Sequence, residues 1–168
     1  KLTNHKSINL YAENVLRLAA CKMYGKGSTA NGIKAIKNYC KQNGINDNEV
    51  NLYDGSGISP KNQISTNALT DILISATTKE FFADFFNSLP SPIDETSTLR
   101  RILQDYPEAH RIKAKSGYIT GVRAYAGYFT NKNDKLFAFA LIFNNYNCSN
   151  AEIRKKIEEF MKAMITIE

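Results

Sequence analysis

The chain has no tryptophan, only two histidines and only three cysteines among its 168 residues. His5 and His110 lie far apart, and Cys21, Cys40 and Cys148 show neither CxxC nor CxxxH spacing. No metal centre is therefore expected, and free thiols are the plain reading. No apolar run approaches the roughly 20 residues that a membrane-spanning helix needs. Lys1 is followed by polar residues rather than by the apolar core of a signal peptide, so the chain is expected to be soluble. The one glycine-rich turn, Asp54-Gly55-Ser56-Gly57, lacks the spacing and lysine of a phosphate-binding loop.

What is present suits one globular domain over residues 1–168. The chain is 43% hydrophobic, 11% aromatic and 23% charged, with no internal repeat and no linker. A formal charge of +6 favours anionic partners, cell-wall polymers among them. The basic residues are scattered, however, and only "RIKAK" (111–115) is dense, so nucleic-acid binding is not expected.

The hydrophobic period changes along the chain. Ile8, Ala12, Val15, Leu16, Ala19 and Met23 recur at helical spacing up to Gly25, and a second helix is expected over Ser28–Asn43 with Ile33, Ile36 and Cys40 inward. A third is expected from Thr66, a fourth over "KEFFADFFNSL" with its phenylalanines in the core, and a short one over Leu99–Leu103. Beyond these, "HRIKAKSGYI", "VRAYAGYFT" and "KLFAFALIFNN" read as antiparallel strands, the last two joined by the turn "NKND". The last strand is apolar on both faces, which predicts cover on both sides. Ser149 and Glu152 form a capping-box pattern before a final helix with Ile153, Ile157, Phe160, Met161 and Met164 inward. The fold class is α+β, a helical cluster on an antiparallel sheet.

Three short signals carry possible chemistry: Ser7-Ile8-Asn9, Asp54-Gly55-Ser56-Gly57 and Lys115-Ser116-Gly117. Each has a plain structural reading. Ser and Asn cap helices, Asp-Gly-Ser-Gly makes a turn, and Lys-Ser-Gly can simply end a strand. Their order matters more. Serine acyl-transfer sites of the penicillin-interactive type combine a Ser-x-x-Lys nucleophile, a Ser-x-Asn element and a Lys-[Thr/Ser]-Gly strand, and the chain has the second and third in that order.

The surrounding text, "SINLYAENVLR", "YDGSGIS" with "KNQIS", and "AKSGYITGVRAYAGYF" with "FAFALIFNNY", resembles the D-alanyl-D-alanine carboxypeptidases of the S13 peptidase family. The likeness runs from Ser7 to the final helix. Two departures are Ser116 in place of the usual Thr, and "PIDETSTLR" without the Gly that commonly precedes Thr-Leu. A third is larger, because no Ser-x-x-Lys occurs in the sequence.

The resemblance implies a partial β-lactamase/transpeptidase-like fold. Residues 1–168 are then expected to be the C-terminal part of a penicillin-binding domain whose nucleophile lies upstream, and inactive alone. It implies peptidoglycan stem peptides as substrate, acyl-enzymes with β-lactams, no metal or organic cofactor, and a periplasmic, extracytoplasmic site of action. By the same resemblance Ser7 lies in the proton path to the leaving amine and Asn9 bonds the penultimate peptide group. Lys115 sets charge beside Ser7, Ser116 bonds the terminal carboxylate, Gly117 lets the substrate approach, and Tyr118 N–H serves the oxyanion. Asp54, Gly55, Ser56 and Gly57 are expected to brace the loop behind Ser7. Tyr118, Tyr125 and Tyr128 either line a cleft or pack against helices. Without the upstream nucleophile helix an apolar patch is expected, with self-association or local disorder near Ser7. Two alternatives stay open: a non-catalytic module of the same fold that binds wall peptides or a partner, and a class C β-lactamase relative, which fits Ser-x-Asn less well.

Overall fold

All 168 residues are described in a computed structural model. A five-residue helix, α1 (Leu2–Lys6), leads into α2 (Asn9–Tyr24), which stops at Gly25 in the left-handed region with its N–H donating to Cys21 O. Helix α3 (Thr29–Gln42) starts where Ser28 Oγ accepts the Asn31 N–H at 3.2 Å. Helix α4 (Thr66–Thr77) is capped in the same way by Ser65 through Ala68 N–H. Both caps satisfy an N–H that the first helical turn leaves unpaired.

The buried stripe of α2 differs from the expected one. Leu16 is buried as expected, together with Ala20, whereas Val15, Ala19 and Met23, also expected inward, face solvent. Two glycines explain the difference. A Cβ on Gly32 of α3 would overlap the Leu16 side chain, and one on Gly55 would come within 3.0 Å of Ala12 O and Leu16 Cβ. Backbone lies so close to that face of α2 that Leu16 becomes the contact residue. Along α3 the fully buried apolar positions are Ala35 and Cys40, with Ile33 and Ile36 half-buried.

Two short strands, β1 (Val50–Asn51) and β2 (Gln63–Ile64), pair antiparallel and close off the intervening glycine-rich loop. Helix α5 (Phe82–Ser88) follows α4. The helix expected over Leu99–Leu103 does not form. Ser97 Oγ accepts the Leu99 N–H at 2.9 Å, and isolated four-residue turns run from Ser97 to Arg100 and from Leu99 to Ile102. Leu103 is left-handed at φ 57°, which no α-helix can propagate through. Leu99, Ile102 and Leu103 are buried nonetheless.

The main sheet has the order β3-β4-β5, all antiparallel, with β3 (Ile112–Ile119), β4 (Val122–Thr130) and β5 (Leu136–Asn144). Gly121, at φ 75°, makes the β3–β4 turn. The β4–β5 turn is held by buried Asn131, whose Oδ1 accepts from Asn133 and Lys135 N–H. Both faces are covered. Helix α6 (Asn150–Thr166), opened by the Ser149–Glu152 capping box, packs Ile153, Ile157, Met161 and Ile165 against Ile112, Ala114, Tyr125, Phe129 and Phe139. The stripe steps by four, so Ile165 is inward and Phe160 is out. On the other face, Tyr128 packs among Phe82, Phe85 and Phe86 of α5 and donates its hydroxyl to Leu73 O at 2.7 Å. Burial pushes its pKa up to about 12. Phe81, expected inward, is exposed.

Candidate active site

Ser7 is the C-cap of α1 and stands in the left-handed region at φ 54° and ψ 50°. For a serine this conformation costs on the order of 1 kcal/mol. The N-cap of α2 is Ile8, with no side-chain hydrogen bond, and Asn9 is the first helical residue. Neither the Ser7 nor the Asn9 side chain therefore caps the start of α2, and both residues are exposed. The short helix before them is tied down on one side. Asn4 Nδ2 donates to Ser88 Oγ at 2.9 Å, and His5 Nδ1 lies 4.0 Å from Asp94 Oδ2. His5 is 6% exposed and its Nε2 has no partner. Burial pushes its pKa down, against the pull of Asp94 and together with the charges of Lys1, the terminal amine and Lys113.

The Asp54–Gly57 loop is fastened to the back of α2. Gly55 and Ser56 N–H donate to Glu13 Oε1 at 2.9 and 2.8 Å. Asp54 receives Gly57 N–H, Ser59 N–H and Asn62 Nδ2 at 2.6–2.8 Å. Burial raises the Asp54 pKa, but the hydrogen bonds from Asn62, Ser59, Gly57 and Ile58 outweigh it and hold the carboxyl below its usual range. Gly57, at φ 77°, closes the turn.

On β3, alternation sends Ile112 and Ala114 toward α6, and Lys113 toward α5, where its Nζ sits 4.9 Å from the Phe86 ring centroid. Lys115 is two residues on, half-buried, with its Nζ donating to Ser116 O at 2.5 Å. Burial lowers its pKa, and no carboxylate offsets the effect. Ser116 Oγ donates to Thr98 Oγ1 at 2.9 Å. Gly117 has no left-handed φ, and a Cβ there would meet only Ala124 Cβ at 3.6 Å, an ordinary contact. Neither packing nor backbone conformation requires a glycine here, and the residue is exposed beside a cleft.

That cleft, about 520 Å³, brings Gly57, Ser59 and Asn62 of the glycine-rich loop opposite Gly117, Tyr118 and Ile119. β3 is an edge strand. Ala114 N–H leaves this edge to donate to Pro90 O at 2.9 Å. Period-two alternation therefore turns the N–H groups of Ser116 and Tyr118 to the same edge, where no strand pairs with them. Tyr118 itself is 58% exposed beneath Arg123, while Tyr125 and Tyr128 are buried core.

No hydrogen bond joins Ser7 or Asn9 to Lys115. The elements are linked through the segment 90–98, which touches α1 at Asp94 and β3 at Pro90 and Thr98. The sequence assigns no role in the site to Glu13, Asp94 or Thr98, and offers His5 only as a metal ligand.

Residues 1–165 match the sequence profile described as the D-Ala-D-Ala carboxypeptidase 3 (S13) family. The chain belongs to that family. It is 28% identical over 153 residues to D-alanyl-D-alanine carboxypeptidase DacB of Haemophilus influenzae, covering 90% of this chain and 32% of that protein. Carboxypeptidase DacB of Mycolicibacterium smegmatis is 27% identical over 146 residues, covering 84% of this chain and 32% of that protein. The chain thus spans about a third of the length of these curated relatives. Its fold superposes on the crystal structure of penicillin-binding protein 4 (dacB) from Haemophilus influenzae in complex with a β-lactam. The TM-score is 0.87 at 23% identity, covering 99% of this chain and 40% of that one. The TLA-3 extended-spectrum β-lactamase shares the fold at a TM-score of 0.72 and 17% identity, covering 98% of this chain and 61% of that one.

Proposed function

We propose that residues 1–168 form the C-terminal, substrate-holding part of the transpeptidase-like domain of a serine D-alanyl-D-alanine carboxypeptidase or endopeptidase that works on peptidoglycan stem peptides outside the bacterial cytoplasm. The observation that carries this reading is the unpaired edge of β3. It presents Tyr118 N–H beside Gly117 and the cleft, in a member of the S13 family.

An extended peptide adds to such an edge as a further strand. Its terminal carboxylate is taken by the Ser116 hydroxyl, and its scissile carbonyl oxygen by Tyr118 N–H as one oxyanion donor. Lys115, whose charge burial disfavours, tunes the proton network, and the exposed Ser7 hydroxyl passes a proton to the leaving amine. Asn9 bonds the penultimate peptide group. The nucleophile, a serine of a Ser-x-x-Lys motif, comes from outside residues 1–168. These residues alone are therefore expected neither to acylate with β-lactams nor to turn over peptide.

The test is release of D-Ala from a D-Ala-D-Ala peptide by the native protein that contains residues 1–168. Lys115→Ala is expected to cut turnover by about a hundredfold or more, the range for losing a positioned proton-transfer group. Unchanged turnover overturns the assignment.

A further inference from the structure

We propose that the hollow between α1 and residues 95–104 is a subsite for a second carboxylate, carried by the leaving-group side of a cross-linked stem peptide. This rests on the reading of Ser116 as the group that meets the carboxylate end of the scissile unit. The hollow is open to solvent, measures about 630 Å³ and has no hydrophobic lining residue. Lys6, Arg100, Arg101 and Glu95 are among its lining residues, three cations to one carboxylate. None of the three is in an ion pair, so their charge is open to a ligand.

Its position ties the hollow to the site. Lys6 immediately precedes Ser7, and Thr98, also in the lining, accepts the Ser116 hydroxyl. The 520 Å³ cleft lies at Gly117–Ile119, beyond Ser116 along the same strand, and no charged residue lines it. The Lys-Ser-Gly segment thus has a neutral cleft on its C-terminal side and a cationic hollow at Ser116. A leaving D-Ala carries a single carboxylate, for which Ser116 already stands. Three further cations are surplus to that need but match a leaving chain that bears carboxylates of its own. Lys6, Arg100 and Arg101 are then specificity residues for cross-linked peptide.

The test uses the native protein that contains residues 1–168, isotope-labelled and with its nucleophilic serine replaced by alanine, titrated with a linear peptide ending in D-Ala-D-Ala and with a cross-linked dimer whose leaving chain has free carboxylates. The expected result is that both peptides shift the Gly117–Ile119 amides and only the dimer shifts Thr96–Arg101. The dimer should bind about fivefold more tightly at low salt, as exposed charge pairs allow. Arg100→Gln with Arg101→Gln, both exposed positions, should bring the two peptides to parity. If Gly117–Ile119 shift but Thr96–Arg101 do not, or the two affinities are equal, the subsite is overturned and the reading of β3 survives. If inorganic phosphate matches the dimer in shifts and affinity, the hollow is a general anion site and the proposal fails. If neither peptide shifts Gly117–Ile119, both readings fall.

Discussion

Ser116 and Thr98 share a hydrogen bond of 2.9 Å, and through it the strand that carries Lys-Ser-Gly is fixed to the loop that also meets α1. Thr98→Val removes the acceptor while keeping the shape. The loss should cost at most about 1 kcal/mol of unfolding free energy in urea, the usual net worth of a hydrogen bond, because this one is exposed. A variant as stable as the wild type would mean that the contact does not fix the strand.

Glu13 holds two amides with one oxygen. Glu13→Ala leaves Gly55 and Ser56 N–H without their charged acceptor, and hydrogen bonds to charged groups count for more than neutral ones. A destabilisation of about 2–3 kcal/mol is expected, with faster hydrogen exchange at these two amides. If exchange there is unchanged, another group must hold the loop.

Acid should weaken the fold in two stages. The folded-state pKa of His5 lies below its ordinary 6.5, so the unfolded chain binds the proton more readily. The stability tied to a neutral His5 is complete above about pH 6.5 and is lost as pH falls through the depressed folded value. Asp94 and Lys113 face the ring with opposite signs, and the Lys1 charges add to the depression. Asp54, held below 3.8, contributes stability above that value and loses it only at lower pH. Urea unfolding between pH 7.5 and 4.5 should therefore show a decline that His5→Gln flattens. An unchanged slope in the variant would remove His5 as the cause.

Lys115 keeps a half-buried ammonium with no carboxylate beside it. Lys115→Met should match or exceed the thermal stability of the wild type while abolishing peptide turnover in the native protein, as expected of a residue retained for chemistry. A large drop in melting temperature would instead make Lys115 a structural residue.

The outer face of α2 exposes Leu10, Tyr11, Val15 and Leu18, two of them by more than 65%. Apolar surface of this kind, next to Ser7, favours pairing of two copies. Sedimentation should show concentration-dependent association that Leu18→Glu relieves; a monomer at all concentrations would rule it out.

Much of this was legible in the sequence because its signals are local. The Ser149–Glu152 pair caps α6 where its spacing placed it, α3 and α4 begin within a residue of the expected Ser28 and Thr66, and runs of β-branched, aromatic and small apolar residues announced β3, β4 and β5. The misses came from tertiary contact. Gly32 and Gly55 narrowed the buried stripe of α2 to Leu16 and Ala20, leaving Val15, Ala19 and Met23 outside, and the left-handed Leu103 stopped a helix that its apolar neighbours suggested. His5, Asp94 and Thr98 could not be linked to the motifs, since each acts across a gap in sequence that only the folded chain closes.

On the proposed function, residues 1–168 hold the second and third elements of an acyl-transfer site but not its nucleophile. Covalent labelling of the 168-residue chain by a fluorescent penicillin, followed by intact-mass spectrometry, tests it most directly, with the Haemophilus influenzae penicillin-binding protein 4 labelled in parallel. The expected result is no adduct on the chain while the control is labelled. A stoichiometric adduct on any serine of the chain would contradict it.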